Sequence, residues 1–323
     1  MLGVPIVVNL LAAAIVVLIT FILVLGIRKS ATTNAVMAMI KLAVLGLFVL
    51  IGIRYVKPSN WVPFAPNGWA GIQAGAAIVF FAYIGFDAVS TVAEEVRDPK
   101  RDLPIGIIGS LVICTLIYVV AAAVFTGIIP YRELVSMTAN QQAEPLTLVL
   151  TYLHIEKWGN LAVDIVAFGS VVAYPAVLLV FQLGQPRIFF SMARDGLIPQ
   201  AFAKVHPNFR TPHITTIFTG IVVAVTAMFT TNLSEMVDLT NIGTLFAFTL
   251  GCTGILILRR REPGRPRGFR MPWVPVIPIL GIVSCLYLML GLPWIAWLRF
   301  GIWLIVGMVV YSSYRNSRLR RQE

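Results

Sequence analysis

Three ionisable residues lie inside long apolar runs of this 323-residue sequence: Lys41, Asp87 and Asp164. A charge in hydrocarbon is costly, so each is a candidate for carrying a proton or pairing with a charged substrate. Lys41 has a second interpretation, because it lies about six residues, or roughly 9 Å, from the end of its run, and its ammonium could reach the interface. Asp164 lies near the start of its run and is interpreted as an interfacial acid.

Asp87 lies in a stretch that could interrupt a helix. Gly85 precedes it by two residues, and Ser90 and Thr91 follow. Glycine tolerates unwinding and aspartate is a favoured N-cap, so a helix that breaks near Gly85 could restart at Asp87. The alternative is a continuous helix in which Gly85 allows close packing. A break at membrane depth would free carbonyls for a cation or an ammonium group.

The elements that must position these residues are membrane helices. Apolar residues make up 58% of the sequence and charged residues only 12%, about half the share in soluble domains. Runs of about 20 apolar residues predict nine spans in a single transmembrane domain of an all-α, polytopic membrane protein. They lie at 5-26, 35-56, 71-93, 104-128, 159-185, 213-230, 239-258, 274-292 and 297-314.

The basic residues predict the orientation of these spans. Nineteen of the 25 Lys and Arg residues fall in alternate loops, at 28–29, 97–101, 187–210, 259–270 and 315–321. The positive-inside rule then predicts a multi-pass cell membrane protein with a cytoplasmic C-terminus. With nine spans the N-terminus would be external, which suggests that an odd number of helices precedes this sequence. Because the basic residues form short clusters between apolar runs, nucleic acid is not expected as a partner.

The sequence contains no pattern of residues that is typical of a metal site or a cofactor site. The three cysteines lie inside apolar runs without C-x-x-C spacing, and the three histidines lack helical i, i+4 spacing. We therefore expect no metal and no cofactor. No His, Ser and Asp set or carboxylate pair lies at one membrane depth, so an enzyme is not expected.

Several segments resemble bacterial amino acid permeases of the amino acid, polyamine and organocation (APC) superfamily, in the branch of the cationic amino acid transporters. They are FFAYIGFDAVSTVAEE at 80–95, GQPRIFFSMARDGLIP at 184–199 and IGTLFAF at 242–248. The resemblance implies an inverted-repeat fold of twelve helices, with the nine spans matching helices four to twelve. It also implies that the first three helices, including a G-x-G segment that holds the substrate carboxylate, have no counterpart here.

The same resemblance implies a substrate site and a coupling site. The unwound part of the family's sixth helix matches Phe81, Ala82, Tyr83, Ile84 and Gly85. Its carbonyls receive the substrate ammonium, with those of Phe81, Ala82 and Ile84 favoured, and the Phe81 ring closes over the substrate. Lys41 matches a lysine that exchanges the coupling proton, and Asp87 matches an acidic position in coupling or gating.

The fifth span contributes three further candidates. Gly169, Ser170 and Val171 match residues that could line the cavity wall, although ordinary helix packing explains small residues equally well. The sequence alone leaves both interpretations open.

These observations together predict proton-coupled amino acid uptake by alternating access. The expected partners are a small amino acid, a proton and the lipid bilayer. Because few carboxylates are available in the spans, we expect small neutral amino acids rather than arginine. Without the carboxylate-binding helix, this chain alone is not expected to accumulate amino acid. The alternative is a truncated, non-transporting membrane protein or interaction subunit.

Overall fold

A computed structural model gives the positions of most of the chain. It describes residues 9–25, 30–91, 96, 98–137, 145–153, 159–207, 209, 211–229, 233–264, 266–267, 269 and 271–319. The described residues form α-helices joined by turns and short 3₁₀ segments, and they contain no strand. The predicted all-α fold is therefore confirmed.

Twelve α-helices are described. In chain order they are α1 Leu10–Leu25, α2 Ser30–Gly52, α3 Gly68–Val79, α4 Ala88–Thr91, α5 Pro99–Ile128, α6 Tyr131–Ser136, α7 Pro145–Tyr152, α8 Gly159–Arg194, α9 His213–Phe229, α10 Leu233–Arg261, α11 Val276–Leu290 and α12 Trp294–Leu319. A 3₁₀ segment, Phe80–Tyr83, directly follows α3.

Six segments among the described residues are long and apolar enough to cross a membrane: Ala35–Tyr55, Gly68–Ser90, Pro99–Ile128, Asn160–Arg194, Leu233–Arg261 and Trp294–Ser313. The other three predicted spans coincide with shorter apolar helices, α1, α9 and α11. Residues 5–8, 26, 92–93 and 230 of the predicted spans lie outside the described residues. The total of nine spans therefore stays a prediction.

Two buried apolar clusters organise the helices. One joins α2, α5, α7 and α8 around Phe48, Val149 and Val166, each fully buried. The other joins α3, α10, α11 and α12 around Ala77 and Ile242. Because α3 belongs to the second cluster while α4 packs against α8 and α5, the segment between α3 and α4 connects the two groups of helices.

Small residues allow the closest helix contacts. A methyl group on Gly169 in α8 would lie 2.5 Å from Val44 Cγ2 in α2, and one on Gly220 in α9 would overlap the Thr20 hydroxyl of α1. Small interface residues are typical of membrane helices, because they let backbones approach without a cavity. The packing of α8 against α2 thus depends on the absence of a side chain at position 169.

Candidate functional site

The third predicted span is interrupted where the sequence places Gly85. Regular α-helix ends at Val79, Phe80–Tyr83 forms a 3₁₀ turn, and Ile84 is extended, with φ −61° and ψ 131°. Gly85 has a φ of +125°, in a region that residues with a side chain rarely adopt. Residues 80–87 therefore form a helix break, and α-helix resumes only at Ala88.

Asp87 stabilises this helix break through its own backbone and side chain. Its carboxylate accepts a hydrogen bond from the Gly85 N–H at 3.1 Å. Its carbonyl accepts the Ser90 N–H at 2.9 Å and the Ser90 hydroxyl at 2.6 Å. Asp87 directly precedes Ala88, the first residue of α4, so it lies at the predicted N-cap position, and its carboxylate closes the turn behind it. Asp87 thus fixes the conformation that the positive φ of Gly85 makes available.

The carbonyls of the helix break differ in their partners. The Phe81 carbonyl accepts the Ile84 N–H at 3.2 Å, and the Ala82 carbonyl accepts the Tyr118 hydroxyl of α5 at 3.0 Å. Within the described part of the chain, no hydrogen bond reaches the Ile84 carbonyl. Of the three carbonyls favoured from the resemblance, only that of Ile84 has no donor among the described residues.

Aromatic rings surround the helix break. The Tyr83 and Tyr118 rings meet edge to face at 5.3 Å, and the Phe86 ring lies 5.3 Å from that of Phe248 in α10. The Phe81 side chain is 42% exposed. The structure thus leaves the Phe81 ring accessible while its neighbours are packed, which suits a ring that covers a ligand.

Lys41 lies on α2, which packs against α8, α5 and α7. It is exposed on α2 and forms no hydrogen bond or ion pair with any other described residue. Val44, three residues later and therefore on the same helix face, contacts Gly169 of α8. Lys41 is accordingly one turn from the contact between α2 and α8. Asp164 is exposed near the start of α8, as an interfacial acid would be.

The three candidates on α8 have different surroundings. Gly169 is buried against Val44. The Ser170 hydroxyl donates to the Val166 carbonyl of its own helix at 3.0 Å. Val171 is 66% exposed. Gly169 therefore has a packing contact, and only Val171 presents a free side chain.

Sequence reasoning missed two polar residues that contact this segment. Tyr118 reaches the Ala82 carbonyl from α5, and the Asn241 amide of α10 donates to the Ala77 carbonyl at 2.9 Å. Both are polar side chains inside apolar runs, so the sequence identifies them as candidates for a functional role. The sequence does not identify the carbonyl to which each one donates.

A separate cavity of about 630 Å³ lies beside α4 and α8. Its lining includes Ser90, Gln182, Arg187, Arg194 and Asp195, and it includes no residue from Phe81 to Gly85. No group of three or more potential metal ligands occurs among the residues that the structure describes. The described polar groups around the helix break are carbonyls, the Asp87 carboxylate, the Ser90 hydroxyl and the phenols of Tyr83 and Tyr118. Such groups suit a positively charged organic group.

The sequence is similar to those of known transporters. The family described as amino acid permease matches residues 3–313. The branched-chain amino acid permease BcaP of Bacillus subtilis (strain 168) is 43% identical over 315 residues, which cover 97% of this chain and 66% of the relative. The methylthioribose transporter of the same organism is 43% identical over 310 residues, covering 96% of this chain and 65% of the relative. The vacuolar cationic amino acid transporter 4 of Arabidopsis thaliana is 36% identical over 270 residues, covering 81% and 43%. The chain thus spans less than two thirds of the length of these relatives.

Proposed function

The chain belongs to the amino acid permease family of the APC superfamily, and on this premise we propose that it takes part in amino acid transport across the cell membrane by proton-coupled alternating access. It is a membrane protein, and we propose that it is a transporter rather than an enzyme. The C-terminus is cytoplasmic in this proposal, because the basic loops lie on that side.

The observation that carries the proposal is the helix break between α3 and α4. Non-helical backbone at membrane depth is tolerated where it is buried in protein or lines a cavity, and such carbonyls coordinate cations in transporters. Here the Ile84 carbonyl has no donor among the described residues. A substrate ammonium has three N–H donors, so it can bind this carbonyl and share neighbouring ones.

The Tyr118 hydroxyl has a place in this scheme. It donates a hydrogen bond to the Ala82 carbonyl at 3.0 Å, and this carbonyl is one of those to which a substrate ammonium group would also donate. A carbonyl oxygen has two lone pairs, so it can accept from the phenol and the ammonium together. We propose that Tyr118 orients the Ala82 carbonyl toward the substrate.

Coupling to protons requires a group that changes charge during the cycle. Lys41 and Asp87 are the proposed carriers, because both lie in apolar segments and the resemblance matches them to coupling positions. The Asp87 carboxylate accepts the Gly85 N–H at 3.1 Å, so its protonation would weaken that hydrogen bond. Proton binding at Asp87 would therefore alter the conformation of the helix break itself.

We propose small neutral amino acids as the substrate class. The carboxylate nearest the Ile84 carbonyl along the chain is Asp87, and it already accepts a backbone hydrogen bond. A cationic side chain would need a further carboxylate, and Asp164 is exposed near the start of α8. The name of the 43% identical branched-chain permease supports a neutral substrate, and that of the 36% identical cationic transporter points the other way.

Uptake of labelled alanine and leucine into proteoliposomes tests the proposal. We would measure it for the chain alone and for the chain joined behind the N-terminal third of the Bacillus branched-chain permease, with an inward proton gradient. We expect saturable, gradient-driven uptake in the joined protein, inhibited more strongly by alanine than by arginine. Absence of uptake in both proteins would refute the transport proposal, and stronger inhibition by arginine would refute the substrate class.

Two matched variants connect uptake to the helix break. Phe81→Leu removes the accessible ring of the helix break, and we expect it to raise the KM for alanine. Phe64→Leu removes a ring that is 88% exposed outside the helix break, and we expect no change. Equal KM values for the two variants would contradict the placement of the substrate.

A further inference from the structure

Asn241 is a fully buried amide in α10 that contacts the end of α3. Its side chain is 0% exposed. Its Nδ2 donates to the Ala77 carbonyl at 2.9 Å and approaches the Ile78 carbonyl at 3.4 Å. These two carbonyls belong to the last turn of α3, three and two residues before the 3₁₀ turn that opens the helix break. Asn241 therefore connects the start of the break to a different helix.

The Ala77 carbonyl needs such a donor because the α-helix does not continue. In a continuous α-helix it would accept the Phe81 N–H, four residues later. In the 3₁₀ turn that begins at Phe80, backbone N–H groups bond three residues back instead. The Asn241 amide thus replaces the Phe81 N–H, so the broken conformation leaves no unpaired carbonyl at this point.

The other half of the carboxamide supports the same inference. The Asn241 Oδ1 atom is buried and has no hydrogen-bond partner among the described residues. A buried unpaired acceptor is destabilising, and its neighbours Ile242 and Leu245 are fully buried apolar residues. An apolar residue at position 241 would avoid this cost. An apolar residue could not, however, donate the hydrogen bond that the Ala77 carbonyl at the end of α3 accepts from Asn241.

We propose that Asn241 is the positioning residue of the helix break. By supplying a donor to the Ala77 carbonyl it favours the 3₁₀ turn over a straight helix, and so holds the Ile84 carbonyl in the position that receives the substrate. This inference rests on the proposed function, because it takes the break as the substrate site. The effect on the backbone of residues 80–84 is independent of transport.

Three variants separate donation from packing. Asn241→Leu keeps the branching of the side chain, is somewhat larger and has no donor. Asn241→Asp keeps the shape and, when ionised, has no donor, whereas its protonated form can donate one O–H to the Ala77 carbonyl. Thr240→Val is the matched control, because the exposed Thr240 hydroxyl bonds only the Met236 carbonyl of its own helix, at 2.7 Å.

Hydrogen–deuterium exchange of the purified chain in nanodiscs provides the main measurement. In Asn241→Leu we expect amides of residues 80–84 to exchange about tenfold faster, which corresponds to about 1.4 kcal/mol, because the segment then alternates between 3₁₀ and α-helical hydrogen bonds. In Asn241→Asp we expect the same increase wherever the carboxyl is ionised and the wild-type rate wherever it is protonated, so both proteins are compared across a pH series. Thr240→Val should match the wild type at every pH.

Two results would overturn the inference. One is unchanged exchange at residues 80–84 in Asn241→Leu, or an increase spread evenly over α10 and α11, which would indicate lost packing alone. The other is an Asn241→Asp variant whose exchange shows no recovery at low pH.

Alanine counterflow with the joined protein then tests the link to transport. We expect Asn241→Asp to regain activity relative to the wild type as the pH falls, while Asn241→Leu does not. Normal counterflow in Asn241→Leu, with altered exchange, would separate Asn241 from substrate binding. Absence of counterflow in the wild type would refute the proposed function and leave the exchange result to decide the role of Asn241.

Discussion

Replacing Gly85 by alanine should destabilise the helix break without any steric clash. The φ of Gly85 is +125°, a conformation that residues with a side chain rarely adopt. An added methyl group would meet only Phe181 Cζ, at 3.6 Å, which is ordinary van der Waals contact. The cost is therefore backbone strain, about 1–3 kcal/mol for a residue held in such a region.

Gly75→Ala is the matched control, and its effect has the opposite sign. Gly75 lies within α3, has no positive φ, and an added methyl group would meet no atom within 4 Å. Alanine at a helix-interior position is stabilising relative to glycine by roughly 0.5–1 kcal/mol. The two substitutions add the same atoms to one membrane segment, so their free energies of unfolding should differ by about 1.5–4 kcal/mol.

The assay combines reversible unfolding in mixed detergent micelles with alanine counterflow in the joined protein. Gly85→Ala should be less stable than the wild type and should lose alanine affinity, since the strained residue favours a different path for residues 80–87. Gly75→Ala should be as stable as the wild type or more stable, with normal affinity. If Gly85→Ala matched Gly75→Ala in both measurements, the reasoning from the backbone of the helix break would be wrong.

Three further outcomes are expected. Lys41→Ala should abolish uptake driven by a pH gradient, while counterflow without a gradient persists. Normal gradient-driven uptake would instead support the interpretation that the Lys41 ammonium reaches the membrane interface and carries no proton. Tyr118→Phe removes the hydroxyl that donates to the Ala82 carbonyl at 3.0 Å, and the KM for alanine should rise several-fold with little change in the unfolding free energy; an unchanged KM would separate Tyr118 from the site. Gly169→Ala should destabilise the protein, because its methyl group would lie 2.5 Å from Val44 Cγ2. Adding Val44→Ala should restore part of the stability, since the Val44 Cβ atom would remain 3.0 Å from that methyl group. Lost transport in a stable double variant would instead favour a role for Gly169 in the cavity wall.

The helix break itself could be predicted from the sequence because its causes are local. Gly85 permits the positive φ, and Asp87 supplies an acceptor two residues later. Such contacts depend on residues that are adjacent in the chain, so their types and spacing carry the information. The prediction that the next helix restarts with Asp87 as its N-cap agrees with α4 beginning at Ala88, and the Asp87 carboxylate bonds back to the Gly85 N–H.

The partners of the helix break could not be predicted in this way. Tyr118 is 36 residues from Ala82, and Asn241 is 164 residues from Ala77. Each was recognisable only as a polar residue in an apolar run. Which carbonyl each one reaches depends on how α5 and α10 are rotated and spaced against α3.

The sequence by itself determined that this chain forms apolar helices and that it belongs to the amino acid permeases, and it named Gly85 as the place where one helix either breaks or packs closely. These properties follow from composition, local backbone preference and motif order. The tertiary structure alone decided which carbonyls of this segment accept hydrogen bonds from other helices, that Gly169 packs against Val44, and that Asn241 donates to the end of α3. The physical reason is that hydrogen bonds between helices require an approach within about 3 Å. Only the packing of whole helices sets that distance.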